Sequence, residues 1–522
     1  MSAVPALPEV SRILAADGTP MRRSTTGAFG DTAFDAASRD KELRNWKPQS
    51  ESADSAMLRE IGTIVPRSDD LVRNEPLAKS GISASVDSVV GSGLMPRPAP
   101  DWLALGKTKE WADEWSRKTR GLFVGFLHSR YFDVTRTGSF HDQTRLHFRT
   151  KLVKGESLAL PLWVENSNSP WHTAFLSVDP DRISNPQWMP DSDIMRGGIE
   201  IDQYGGPVAI HVQKAHPADA QFGFVNNWEW ERIPVETEWG RRQVLHIFDK
   251  DKADQHRGLT ALSAVMGDFK VLHDYKKAEL DAAIANALVA AVTKSPTMTF
   301  EETVALFGGD STQYLKERSE FILKMRSGAV LPMFPGESME SYDPNRPNTA
   351  FGPFVDSIIK HIAAGLDLPY EILMRDFTKG NYSSIRAAFM QAWKTFATAR
   401  ELLITQWADP VYELWLEEAI DSDRVEADDD WWENRAAWTN CRWLGDGKGW
   451  LDPVREGQAA QLRIAAGIST FEDECMEQGK DWEEVFAQRA VEQQRMRELG
   501  LDTATILQTV AIAPQAEDPD KQ

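Results

Sequence analysis

At 522 residues the chain is longer than one simple hydrophobic core accommodates, and its length points to roughly two to four structural units. A formal charge of −21 excludes a protein that grips nucleic acid over its whole surface, because tight phosphate binding works through lysine and arginine displacing counterions. Contact at a few basic points remains open. Nineteen tryptophans promise large buried or interfacial surfaces, while Cys441 and Cys475, the only cysteines, have no ligand spacing and make a reduced, intracellular setting the default.

Residues 1 to about 45 are rich in Ala, Ser, Thr and Gly with weak periodicity, which predicts an irregular arm. MSAVPALPEVSRILAADG has neither a basic start before an apolar core nor a cleavage site, so no secretion signal is expected. The block RSDDLVRNEPLA (67–78) precedes a helix from Lys79 that ends at Val89-Val90-Gly91-Ser92-Gly93-Leu94. Gly91-Ser92-Gly93 lacks the spacing of a phosphate loop and reads as a helix-terminating turn. A helix from Lys107 to Leu127 carries Trp111, Trp115, Leu122 and Phe126, and another follows from about Phe140 to Lys151. His141 and His147 are six apart, too far to share a helical face as metal ligands, and are expected to be satisfied polar side chains.

From Glu156 to Phe248 the apolar period changes to two. Leu158, Leu160 and Leu162 alternate, as do Ile199 and Ile201, then Val208, Ile210 and Val212 across the turn Gln203-Tyr204-Gly205-Gly206, which predicts a hairpin. Trp228 to Ile233 and Val244 to Phe248 are further strands. This middle third reads as a β-rich layer covered by the preceding helices. HIFDKDKADQH (246–256) gathers acids and imidazoles but lacks the glycine and closing glutamate of a calcium loop, so a solvated loop is the preferred reading.

The stretch Gly258 to Ser295 organises the chain. Leu262, Met266, Phe269, Leu280, Ile284, Leu288 and Val292 recur three to four residues apart, predicting one helix with a continuous apolar face, closed by Pro296. Unbroken, it would be about 50 Å long, the length of a stalk or a wall. No run of eighteen apolar residues occurs, so no membrane span is expected. Pro296 to Asn348 is mixed, with Lys316, Arg318, Lys324 and Arg326 forming a local basic patch. A shorter helix, Phe351 to Gly365, carries Phe354, Ile358 and Ile362, so the two helices read as a hairpin with a small insert at its tip. In LPYEILMRDFTKGNYSSIRAAF (368–389), Asp376 to Asn381 is a predicted loop and Ser383 or Ser384 a cap. The next helix places Ile385, Phe389, Trp393, Phe396, Leu403 and Trp407 on one side, and kinks at Pro410 or restarts there with Asp409 as cap. Glu417 to Glu433 is strongly acidic. Helix starts follow at Asp452-Pro453, at the capping box Ser469-Thr470-Phe471-Glu472 and at Asp481, giving a small helical domain ending near Leu501 and a disordered tail.

No nucleophile elbow, HExxH, Walker loop or paired metal-ligand cluster appears. Gly449 stands where the phosphate loop's serine or threonine would follow Gly445-Asp446-Gly447-Lys448, and the acids are scattered. The chain reads as a non-enzyme with no cofactor and no metal.

RSDDLVRNEPLA with VVGSGL, GGIEIDQYGGPVAIHV, Gln255-His256-Arg257-Gly258 before the long helix, LPYEILMRDFTKGNYSSIRAAF, Leu451-Asp452-Pro453-Val454-Arg455-Glu456 and Ala466-Gly467-Ile468-Ser469-Thr470 follow one another in the order found in lambda-family portal proteins of tailed bacteriophages. Over nearly its whole length the chain resembles that family. The resemblance implies an α+β, mainly α fold: an α/β wing (46–258), a stem of two helices (about 259–293 and 350–366), a clip between them (294–349), a tunnel loop (374–384), a long kinked wing helix (385–420) and a helical crown (421–505). It implies a homo-oligomeric ring, usually of twelve subunits, at one capsid vertex of the virion, assembled in the host cytoplasm. Double-stranded DNA enters and leaves through the channel, and the partners are the terminase large subunit, head-tail adaptor proteins and the major capsid or scaffolding protein, with no membrane. Twelve copies would carry roughly −250 formal charge, a repulsive wall for phosphate. On it Arg375, Lys379, Asn381 and Tyr382 of the loop are candidate weak DNA contacts. Lys316, Arg318, Lys324 and Arg326 are candidates for DNA, terminase or adaptor, and Leu262, Met266, Phe269, Leu280, Ile284, Leu288, Ile358 and Ile362 for stem packing. The alternatives are another head-tail connector or capsid protein, and a DNA-processing enzyme.

Overall fold

The computed structural model describes residues 45, 47–222, 228–288, 292–294, 305, 312, 316, 338–340, 351–378, 380–449 and 453–500. The elements run α1 (Ala53–Met57), α2 (Ile61–Asn74), α3 (Pro76–Val89), β1 (Met95–Pro98), α4 (Lys109–Leu127), α5 (Phe140–Lys154), β2 (Glu156–Trp163), β3 (Thr173–Val178), β4 (Met195–Arg196), β5 (Ile199–Ile201), β6 (Pro207–Gln213), β7 (Trp230–Pro234) and β8 (Leu245–Phe248). They continue through α6 (Met266–Leu288), β9 (Val292–Lys294), β10 (Ser338–Glu340), α7 (Phe351–Gly365), α8 (Tyr370–Met374), α9 (Tyr382–Leu403), α10 (Asp409–Asp421), α11 (Arg435–Trp438), β11 (Cys441–Leu444), α12 (Pro453–Ala465), α13 (Phe471–Glu477) and α14 (Trp482–Glu498). The α+β class holds, with helices dominating. Among the described residues no helix is long and apolar enough to cross a membrane.

The period-two region forms two antiparallel sheets, ordered β3-β2-β8 and β4-β5-β6-β7. The expected hairpin is β5–β6, pairing Ile199 with Ile210 and carrying a bulge at Glu200/Ile201. Alternation along β2 divides its side chains between two cores, as the pleat demands. Leu158 and Leu160 join Val178, Ile199, Ile210 and Val212 between the sheets. Ala159 faces the larger core with Phe175 and Ile247, where the helices pack.

That larger core is aromatic. Phe123 lies 4.6 Å from Trp415, Phe132 4.8 Å from Phe175 and Trp171 5.2 Å from Trp415, ring centroid to ring centroid. Trp407, Tyr412, Trp415 and Trp438 are fully buried in it. Of the two histidines expected to be satisfied, His147 is: Nδ1 bonds Ser157 Oγ at 2.7 Å, Nε2 lies 3.1 Å from Ser177 Oγ, and its ring sits 4.4 Å from Trp407. His141 Nδ1 is buried without a partner.

Several local expectations are corrected. Asp409 is not a cap, because a π-helical turn, Ile404–Ala408, carries α9 into α10 without a break. The wider turn leaves room for the Pro410 ring, which would clash with a carbonyl of an ordinary α-turn. The Asp409 carboxylate instead accepts from Trp443 Nε1 at 2.8 Å. The cap of α9 is Asn381, whose Oδ1 accepts from Ser384 N at 2.8 Å, and not a serine. The capping box of α13 pairs Thr470 with Asp473. The crown-like unit does not start at 421: β11 pairs antiparallel with β1 and Trp438 is buried among Trp111 and Trp115, which joins 421–444 to the body. Among the described residues, the helices α12, α13 and α14 contain no buried residue.

Candidate functional site

The predicted single helix from Gly258 begins instead at Met266. The preceding residues are held in turns by a polar knot between both sheets and α1. Arg257 donates from Nε to Glu156 Oε1 at 2.6 Å and from Nη1 to the carbonyl of Gly197 at 2.6 Å, with the carbonyls of Ile183 and Pro180 completing its shell. Glu156 also takes His246 Nε2 at 2.8 Å and the Gly258 N–H at 3.2 Å. Burial alone would raise this carboxyl's pKa, but Arg257 and His246 outweigh it and hold it down to about 2. His256 contacts Asp54 Oδ2 through Nδ1 at 2.6 Å and the Gly205 carbonyl through Nε2 at 2.9 Å. Gly258 is required here, since a Cβ on it would lie 2.0 Å from the Gly155 carbonyl oxygen. Residues 249–254 are exposed as expected of a solvated loop, whereas Gln255 and His256, placed in the same loop by sequence, are buried and His246 is half-buried. The Gln255-His256-Arg257-Gly258 motif is thus the joint that seats the long helix on the body.

The helices α6 and α7 lie against each other. Near the joint, Leu262, Phe269 and Leu272 from one side and Ile359, Ile362 and Ala363 from the other are buried in the main core, with Met266 and Ile358 packed against it. His361 Nδ1 meets Asp268 Oδ2 at 2.7 Å, and Tyr275 stacks on Phe351 and meets Phe354 edge-on, at 5.5 and 4.9 Å. Farther out the packing stops. Leu280 is 60% exposed, Ile284 47% and Phe354 47%. The eight stem-packing candidates therefore do not form one uniform stripe: five line the base or pack against it, Leu280 and Ile284 face outward, and the Leu288 side chain lies outside the described residues. Beyond α6 the predicted helix gives way to β9, whose β-branched Val292 and Thr293 pair with Glu340 and Met339 of β10. Along α6 three lysines stand against four carboxylates, so the acidic excess of the chain does not reside there.

The loop after α8 runs from Arg375, exposed and left-handed at φ 55, to Asn381. It is shorter than the expected 374–384, because the Asn381 cap starts α9 at Tyr382. Asn381 is therefore committed through its Oδ1 to the helix end. Lys379 and the Tyr382 side chain lie outside the described residues, as do Arg318, Lys324 and Arg326; Lys316 is helical and exposed.

Gly91-Ser92-Gly93 and Gly445-Asp446-Gly447-Lys448, each weighed as a phosphate loop, meet one another. Ser92 N donates to Asp446 Oδ2 at 2.6 Å, and Arg400 binds the carbonyls of Val89 and Ser88 at the end of α3 and that of Asp446. Both loops are structural turns. One grouping that sequence reasoning missed, Asp179, Asp181 and His216, has metal-ligand proximity, but Lys154 Nζ already bridges its carboxylates at 2.7 and 2.6 Å.

Residues 39–400 match the family described as "Phage portal protein, lambda family". The chain is 31% identical over 512 residues to Portal protein B of Escherichia phage lambda, covering 95% of this chain and 94% of that one. It is 30% identical over 478 residues to the portal protein of Escherichia phage N15, covering 88% and 89%. A solved structure of the neck of the native GTA particle shares 13% identity at a TM-score of 0.44, covering 79% of this chain and 90% of that one, a likeness too distant to carry weight.

Proposed function

This chain belongs to the lambda family of phage portal proteins, which form the portal at a capsid vertex, and from that premise we propose that α6 and α7 are the stem of a homo-oligomeric ring whose axial channel passes double-stranded DNA. The supporting observation is the change of environment along the hairpin. Its base is built into the subunit's own core, while Leu280, Ile284 and Phe354 remain 47–60% exposed. Apolar side chains at helical spacing on a rigid, seated rod suit a heterologous contact that closes by rotation, as a ring requires. The segment 294–349 at the hairpin's tip is the clip that meets the terminase large subunit and head-tail adaptors, with Lys316, Arg318, Lys324 and Arg326 as its basic patch. The major capsid or scaffolding protein receives the ring during assembly in the host cytoplasm. Residues 375–382 face the channel, where Arg375 and Lys379 make weak, sequence-independent phosphate contacts. DNA slides because such contacts are few and the hairpin is nearly neutral. The reading of the chain as structural and not catalytic rests on its family.

Electron microscopy of the purified full-length protein tests the reading: rings with an axial hole are expected. The double variant Leu280→Asp, Ile284→Asp should remain folded yet fail to form them, since each carboxylate would be trapped without a partner in the subunit contact. Normal rings from that variant would move the contact off this face, and a parent protein that stays monomeric at micromolar concentration would overturn the assignment.

A further inference from the structure

Among the described residues, four of the tryptophans meet around one cavity of about 370 Å³ on the body, remote in sequence from the stem and its loop. Trp163 comes from the end of β2, Trp239 from the turn between β7 and β8, and Trp431 and Trp432 from the connection after α10. Glu417, Glu418, Asp421 and Arg241 complete the lining. Trp163 and Trp239 are 53% and 63% exposed, and apolar surface gathered in one exposed patch marks an interaction site.

The polar groups around these rings are unequal in what they have left to offer. Arg241 Nε donates to Glu417 Oε2 at 3.0 Å, which neutralises both. Glu418 is buried and filled by the N–H groups of His172 and Thr173 at 2.6 and 2.8 Å. Asp421 is exposed and has no hydrogen bond or ion pair among the described residues. Three carboxylates thus face one guanidinium already paired, and residues 417–433 as a whole carry nine carboxylates to one arginine. Trp163 has one face stacked on His172 at 4.8 Å, Trp431 stands edge-on to Trp432 at 5.2 Å, and Trp163 and Trp239 are the exposed rings of the four. The chain itself shows what such faces accept, since the Arg435 guanidinium lies 4.8 Å from the Trp432 ring.

We propose that this tryptophan box is a docking site for an arginine side chain on a basic segment of a partner protein. The π faces attract the cation, Asp421 supplies the opposite charge, and the acidic surroundings draw in a positively charged segment and repel nucleic acid. Arginine suits the box better than lysine because its planar, weakly hydrated guanidinium stacks on indole while its N–H edge reaches a carboxylate.

A labelled ten-residue peptide of alternating arginine and glycine, titrated by fluorescence anisotropy against the full-length protein at physiological salt, tests this. Saturable binding at one peptide per chain is expected, and the same peptide with citrulline for arginine should not saturate. Trp239→Leu and Trp163→Leu should each weaken binding about three- to tenfold, and Trp239→Phe should retain most of it. Asp421→Asn should also weaken it, while Asp429→Asn with Asp430→Asn, outside the cavity, should change it less than about twofold. Circular dichroism of each variant separates loss of the site from loss of the fold. Unchanged affinity in the two leucine variants, or an equal loss in the Asp429/Asp430 variant, would reduce the effect to unspecific charge and overturn the proposal. So would tighter peptide binding when Arg22 and Arg23 are both replaced by alanine in the full chain, which would make the protein's own N-terminal segment the occupant. Equal or tighter binding of spermidine at the same tryptophans would assign the box to a free polyamine.

Discussion

The two ends of α6 obey opposite rules. At Phe269 and Leu272 the helix is part of a core shared with α2, α3 and α7, and these two side chains are fully covered. About three turns on, Leu280 and Ile284 continue the same helical spacing but are 60% and 47% exposed. One periodicity therefore runs through two environments: the inner half closes the monomer, and the outer half is the face proposed to meet another copy. The joint of Glu156, Arg257, His246 and His256 separates the regimes by fixing where the rod leaves the body.

The sharpest way to break this contrast is a pair of truncations. Phe269→Ala removes a buried ring and should cost about 3–5 kcal/mol of subunit stability. Leu280→Ala, on the outer half, should stay within about 0.5 kcal/mol in the same urea titration performed on monomer. Similar costs at both sites would mean that the outer half is covered within the subunit.

What the sequence made legible follows the same division. Helix and strand periods were readable wherever a face repeats locally, so α7, the β5–β6 hairpin and the aromatic face of α9 emerge from spacing alone. The true start of α6 was not readable, because the apolar period runs through Leu262 and Met266 without a break. It is ended by a non-local event, the close approach of Gly258 to Gly155 and the burial of Arg257 against Glu156, about a hundred residues apart in sequence. The pairing of β11 with β1 and the tryptophan box, assembled from separate segments, are hidden for the same reason. The Asn381 cap was within reach: asparagine precedes the first helical turn, and Ser383 and Ser384 drew attention one turn too late.

Acidification sharpens the comparison by acting on the body. His147 is enclosed, and burial depresses its pKa from 6.5 to about 3. Between those values the unfolded chain binds a proton that the folded one refuses, so stability falls as pH drops through that window, by up to about 1.4 kcal/mol per pH unit. Glu156 adds to the loss below its ordinary 4.5, because its folded pKa of about 2 makes its contribution present above 4.5 and lost as pH falls towards 2. Urea titrations between pH 7 and 5 should show the His147 slope, and His147→Gln, which can keep one hydrogen bond to each serine, should flatten it. A slope unchanged in that variant would place the proton uptake on another group.

The smallest expected effect lies at Asn381, and it separates the two roles this residue has been given. As the cap of α9 its Oδ1 receives the Ser384 N–H at 2.8 Å and the Ser383 hydroxyl at 3.0 Å. Asn381→Ala should therefore cost about 1 kcal/mol, and Asn381→Ser, another good cap, considerably less. A cap acts without touching phosphate, so genome content of particles assembled with Asn381→Ser should match the parent, whereas, on the proposed channel role, Lys379→Glu should leave assembly intact and alter DNA retention. If Asn381→Ser loses DNA while its folding stability stays at the parent value, the amide itself faces the polyanion and the capping role is incidental to the channel.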